Sequence, residues 1–173
     1  YAFSADVKPG TAVDHFAGFI FNYGYEKDWI ENRFYESNKL DGENSVGKSG
    51  ISVNIHPAMI EVCVMTYNAS TSTFSQIKYT HMLSEYIDSA FHKFAATDDG
   101  SGNIRFALDG DVFAYVTYEN PGLLPSSSTE YNERYYRTAT IYDANGTQKA
   151  TTSDALVSYV KSMAMGSRYR ALN

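Results

Sequence analysis

Cysteine is nearly absent from this 173-residue chain: Cys63 stands alone, so no internal disulfide can form. Small secreted domains often depend on several such bridges, but a chain of this length can bury a sizeable core without them. Proline is sparse, with four copies, and tryptophan occurs once. Positive charge is also short: 14 Lys and Arg face 20 Asp and Glu, a formal net charge of −6. That balance argues against a general electrostatic grip on nucleic acid, which needs clustered Lys and Arg. Arg134, Arg137, Arg168 and Arg170 come closest to a cluster, but they share the chain with Glu130, Glu133 and Asp143. No apolar run approaches the ~18 residues of a membrane-spanning helix. The chain opens on Tyr1 rather than Met, which leads us to expect a processed or trimmed chain with no retained signal peptide.

What is present is ordinary, with one exception. The hydrophobic fraction is 43% and the charged fraction 20%, both typical of a folded domain. Tyrosine, with 15 copies, stands out. Tyr buries a ring while keeping its hydroxyl wet, which suits half-exposed sheets and interfaces. Asn68-Ala69-Ser70 and Asn145-Gly146-Thr147 have the form of glycosylation triplets, which count only in a secretory compartment.

The strongest helical period lies in Ser75–Ala96. On a wheel of ~100° per residue, Tyr79, Leu83, Tyr86, Ile87, Ala90 and Phe94 share a face, and His81, Glu85, Asp88 and His92 share the opposite one. This spacing predicts a long amphipathic helix. Thr11 can cap a helix over Ala12–Tyr23, although FAGFIF also suits a strand, and a second short helix is expected over Glu26–Glu36. Ser153 can cap a final helix through Leu156, Val157, Val160, Met163 and Ala164, ended by Gly166.

Strand signals are plain elsewhere. Ile51, Val53 and Ile55 alternate with polar residues until Pro57. Met59–Tyr67 is apolar on both faces, as in a strand covered on both sides. Ile104–Tyr118 reads as a hairpin about Asp109-Gly110, and Arg134–Tyr142 as a strand turned at Asn145-Gly146. The expected fold class is therefore α+β: about five mostly antiparallel strands, one long amphipathic helix on a face and a shorter C-terminal helix. Residues 1–10 form an expected extended arm, ended by Pro9-Gly10, ahead of a single domain over 11–173.

Gly42-Glu43-Asn44-Ser45-Val46-Gly47-Lys48-Ser49 matches G-x-x-x-x-G-K-[ST] in full and resembles the Walker A loop of P-loop NTPases. The resemblance implies nucleotide binding through Gly42, Gly47, Lys48 and Ser49, with Lys48 reaching the β- and γ-phosphates and Ser49 holding Mg²⁺. Asn38-Lys39-Leu40-Asp41 likewise resembles the guanine-reading N-K-x-D motif of GTPases. The context opposes both. FYESNKLD is too polar for the buried strand that must precede the loop, and GISVNIHP reads as a strand where the anion-binding helix should start.

Other chemistry is thin. His81 and His92 would lie ~16 Å apart along a helix and could not ligate one ion together. Cys63 lacks a placed histidine and reads as a small core residue. Asp98, Asp99, Asp109 and Asp111 do not match a calcium loop and suit turns. No catalytic residue, cofactor or metal ligand is assigned. The expectation is a structural, self-assembling subunit of a virion, filament or cell-surface assembly, a homo-oligomer or larger. Tyr1, Phe3, His81, Glu85, Asp88 and His92 are its candidate interface residues. The alternatives are an extracellular ligand- or glycan-binding module and a P-loop-type enzyme.

Overall fold

The structure, a computed structural model, describes residues 1–11, 16–24, 49–68, 73–87, 90–123, 134–152, 157–158 and 163–168. All regular structure among them is β. In chain order the strands are β1 (Ala2–Val7), β2 (Phe16–Gly24), β3 (Ser49–Ile55), β4 (Met59–Asn68), β5 (Thr73–Met82) and β6 (His92–Asp98). They continue as β7 (Asn103–Leu108), β8 (Asp111–Leu123), β9 (Arg134–Asp143), β10 (Gln148–Thr151), β11 (Val157–Ser158) and β12 (Met163–Arg168). Six strands in the order β1-β6-β7-β8-β9-β10 make one antiparallel sheet, and four, β2-β3-β4-β5, make the other. The two-residue β11 adds to β9, and β12 continues the four-stranded sheet beyond β2.

This overturns the α+β expectation: no helix occurs among the described residues. The expected long helix of Ser75–Ala96 is instead two strands on different sheets. β5 pairs with β4 along its whole length, from Met59↔Met82 to Asn68↔Thr73. β6 lies between β1 and β7. The segment carries a second period that the helical wheel hides: Ile77, Tyr79 and His81 alternate with Gln76, Lys78 and Thr80. Cross-strand pairing and burial against β4 favour that period-two pattern over the local helical one. Ala12–Tyr23 is corrected in the same way, since Phe16–Gly24 is β2. The final helix is replaced by β11 and β12, the latter pairing Met163↔Phe21 through Arg168↔Phe16. An exposed edge on β2 offers unpaired backbone groups that a helix could not satisfy, whereas a strand does. The expected helix over Glu26–Glu36 lies outside the described residues.

Both hairpin turns expected from the sequence are present. Leu108 faces Asp111, leaving Asp109 and Gly110 as a two-residue loop with φ of 52° and 92°. Positive φ at both positions suits the right-handed twist of the flanking strands. At Gly146, with φ of 77°, the chain turns from β9 to β10, and Asp143 Oδ1 accepts hydrogen bonds from the amides of Asn145 and Thr147.

The sheets meet through a shared core. Ile51, Val53, Ile55, Ile60, Val62 and Val64 come from one sheet, and Ile104, Phe106, Val116 and Ile141 from the other, all fully buried. Phenylalanine rings cross the interface. Phe19 of β2 stacks on Phe94 of β6 at 4.6 Å and Phe21 lies 5.5 Å from Phe106; within the larger sheet Phe106 stacks on Phe113 at 6.4 Å. β4 is buried on both faces, with Cys63 and Met65 covered on the side away from the core.

Candidate functional site

β5 is the edge of its sheet, and its inner face meets less cover than β3 and β4 do. Register pairs Tyr79 with Val62 and His81 with Ile60, so both side chains turn toward the opposing sheet, yet both remain half-exposed. Opposite His81 stands Phe113 of β8, almost fully buried; the rings lie 5.8 Å apart at 28°. Tyr79 Oη approaches His81 Nδ1 at 3.3 Å, and Lys149 Nζ sits 5.7 Å over the Tyr79 ring. Burial holds the His81 imidazole below its ordinary pKa, outweighing the opposing field of Asp143. Burial, helped by Asp143 and opposed by Lys149, raises the Tyr79 phenol.

Between the sheets here lies a cleft of about 340 Å³, with Ile60, Leu83, Ile87 and Phe113 among its apolar walls and His81, Glu85, Asp109 and Asp111 among its polar ones. Two devices fix its mouth. The connection after β5 is tied to the β3–β4 turn, since Leu83 N–H donates to the Ala58 carbonyl at 3.0 Å and Ile87 N–H to the Pro57 carbonyl at 2.9 Å. The β7–β8 turn is tied to β6 through Asp109. Its Oδ1 accepts the Lys93 amide at 2.7 Å, and its Oδ2 lies 2.6 Å from His92 Nδ1. Those hydrogen bonds, His92 first, hold the Asp109 carboxyl below the usual carboxylate range. Beside the cleft, the end of β5 and the chain that follows it leave large apolar surface in water: Met82 is 65% exposed, Tyr86 63% and Phe91 72%.

The residues singled out from the sequence are thus dispersed and partly regrouped. His81 lines the cleft from β5, and Glu85 stands exposed on its rim. His92 opens β6 and reaches the cleft only through Asp109. They form no helical stripe, because His81 and His92 belong to different sheets. Asp88 lies outside the described residues. Tyr1 and Phe3 are engaged within their own chain. The terminal ammonium donates to the Asp98 carbonyl at 2.9 Å, the Tyr1 hydroxyl to Asn22 Oδ1 at 3.3 Å, and Phe3 lies against Phe19, Phe21 and Phe94. Gly42, Gly47 and Lys48 lie outside the described residues. Ser49 begins β3, so the stretch after the loop is strand rather than the helix that a phosphate cradle uses. Phe113, Leu83 and Ile87 were not picked out as site residues; nothing local distinguishes a cleft wall from a core position.

A second group of polar side chains lies on the outer face of β4. Glu61 of β4 pairs with Lys78 of β5, a hydrogen bond that raises the Lys78 ammonium above its ordinary value, and approaches His56 Nε2 at 3.6 Å. Cys63 sits beside them, its thiol pushed up by burial and then by Glu61, which disfavours the nucleophilic thiolate. Asp98 and Asp99, before β7, serve turns: Asp98 accepts the Gly100 amide, and Asp99 accepts the amides of Ser101 and Asn103. Among the described residues no three His, Cys, Asp or Glu side chains are grouped to hold a metal ion. No protein-family model matches this chain, and no curated protein sequence matches it either.

Proposed function

We propose that this protein is a binding module that takes a sugar-sized ligand in the cleft between its sheets. The observation that carries the reading is the cleft itself, about 340 Å³, with an apolar floor and a rim of His81, Glu85, Asp109 and Asp111. Ligand sites are concave, mostly apolar and furnished with a few placed polar groups. A sugar ring presents C–H faces and hydroxyl edges, which such a floor and such acceptors complement. The Asp109 hydrogen bonds and the strap at Leu83 and Ile87 hold the rim in place before a ligand arrives, which lowers the ordering cost of binding. The test is calorimetric titration of the full chain against a panel of neutral and charged oligosaccharides. Leu83→Trp, which fills the cleft, should abolish binding while the circular dichroism spectrum stays β-type. Retained binding in that variant would sink the reading.

One observation favours a second reading, the self-assembling subunit. Met82, Tyr86 and Phe91 leave apolar surface in water within one short stretch, as subunit contacts do before assembly. Sedimentation of the native chain tests it: a large symmetric species that Phe91→Glu disperses would support assembly, and a monomer at all concentrations would exclude it.

A further inference from the structure

We propose that Asn145 is a site of spontaneous modification by water, its side-chain amide lost through a cyclic imide with Gly146, and that the closed β9–β10 turn holds this reaction in check.

Asn145-Gly146 is the chain's single Asn-Gly pair. Asn145, Gly146 and Thr147 are all exposed at the end of the hairpin, so water reaches them. Gly146 has no side chain to shield its nitrogen, and the space where a Cβ would stand is empty out to 4 Å. In the reaction the Gly146 nitrogen gives up its proton and attacks Cγ of Asn145. The N–Cγ bond forms, the Cγ–Nδ2 bond breaks, and Nδ2 leaves as ammonia with the added proton. Water then opens the five-membered imide and returns a proton to the ring nitrogen. Opening at Cγ leaves aspartate. Opening at the main-chain carbonyl leaves isoaspartate, whose backbone runs through the former side chain.

Two Asp-Gly pairs among the described residues could form the same ring, at Asp99-Gly100 and Asp109-Gly110. Their carboxylates accept hydrogen bonds, Asp99 from Asn103 and Ser101 and Asp109 from the Lys93 amide, and those bonds favour the ionised form. An ionised carboxylate resists a nucleophile, whereas the Asn145 amide is neutral.

The turn itself supplies the restraint. Gly146 N–H donates to the Asp143 carbonyl at 3.0 Å, so the proton that must be lost is committed. Asp143 Oδ1 accepts the amides of Asn145 at 2.9 Å and Thr147 at 3.0 Å, which fixes the backbone on both sides of Gly146. Attack therefore waits for the turn to open. Isoaspartate lengthens the backbone inside this hydrogen-bonded ring, so the turn cannot close again in the same form. β10, a four-residue strand at the sheet edge, is loosened as a result.

The experiment incubates the full chain at mildly alkaline pH, folded and in guanidinium chloride. Mass spectrometry follows the peptide that carries Asn145 for exchange of amide nitrogen for oxygen, in ordinary and in ¹⁸O water. The unfolded chain should convert at least roughly tenfold faster, because the folded one reacts only when its turn opens. Asp143→Ala removes the carboxylate from the turn and should speed conversion of the folded chain several-fold. Lys149→Gln removes the ion pair to the same carboxylate, keeps the turn's own bonds, and should leave the rate unchanged. The modified chain should exchange its β10 amides with deuterium faster than the fresh one. An Asn145 that stays intact in guanidinium chloride would overturn the site. Equal rates in the folded and unfolded chain, or in Asp143→Ala and Lys149→Gln, would overturn the restraint. Unchanged exchange in β10 would overturn the loosening.

Discussion

The two edges of this sandwich are finished in opposite ways. At one, β1 lies along β6 from Ala2↔Thr97 to Val7↔His92 and drops Phe3 among Phe19, Phe21 and Phe94. Its first residue is tied down by the terminal ammonium and the Tyr1 hydroxyl. At the other, β5 brings Tyr79 and His81, rings with polar tips, and leaves them half-exposed above a cleft. An edge closed by phenylalanine stabilises; an edge lined by Tyr and His keeps an opening. The same architecture thus places a packed aromatic cluster and an open cleft at opposite margins, and substitutions at the two should differ in their cost to stability.

The largest effect is expected at the closed edge. Deleting residues 1–7 removes a strand, uncovers the backbone of β6 and exposes the phenylalanine cluster, so the truncated chain should lose its cooperative urea transition or aggregate. A truncated chain with native stability would show that β1 contributes little to the core. Phe3→Ala is the milder form and should cost roughly 2 kcal/mol, less than the ~3–5 of a fully buried Phe because Phe3 is only partly covered. Urea midpoints of the two variants measure both.

At the open edge the effects on stability shrink. His81→Ala should change the unfolding free energy by no more than about 1 kcal/mol, since a half-exposed ring leaves little cavity, while it removes a wall of the cleft. Equal destabilisation by Phe3→Ala and His81→Ala would erase the distinction between the edges. A smaller effect concerns pH. The unfolded chain protonates His81 near its ordinary value of about 6.5, and the folded chain only at lower pH. Its contribution is therefore complete above about pH 6.5 and is lost as pH falls through the folded value. Stability measured from pH 7 to 5 should fall less steeply in His81→Gln than in the native chain. The smallest effect is expected for Lys48→Ala. A strand rather than a helix follows Ser49, so neither ATP nor GTP should stabilise the native chain against heat, and the variant should melt with it.

What could be read in advance was local. Asp109-Gly110 announces its hairpin because two consecutive positive φ values need residues that tolerate them. Ile51, Val53 and Ile55 announce β3 because one face of a strand must be apolar. The stretch from Ser75 to Ala96 could not be settled in this way, since Tyr79, Leu83, Ile87 and Phe94 satisfy a helical period while Ile77, Tyr79 and His81 satisfy a strand. The choice fell to β4, whose open side accepts a full-length partner. The cleft was less legible still. His81 and Glu85 were singled out for a helical face that does not exist, and Phe113, their partner across the sheets, lies some thirty residues away in sequence.

By itself, then, the sequence determined the turns, the strands with one apolar face, and a charge balance that disfavours nucleic acid, because each depends on neighbours along the chain or on a sum over it. Only the tertiary structure decided that the ambiguous segments are strands, that the N-terminal arm is the wall of its own core, and that an edge stands open beside Glu85 and Asp111. Those outcomes depend on which backbone edges and apolar faces remain to be covered once the first strands have paired, and that is a property of the assembled sheets.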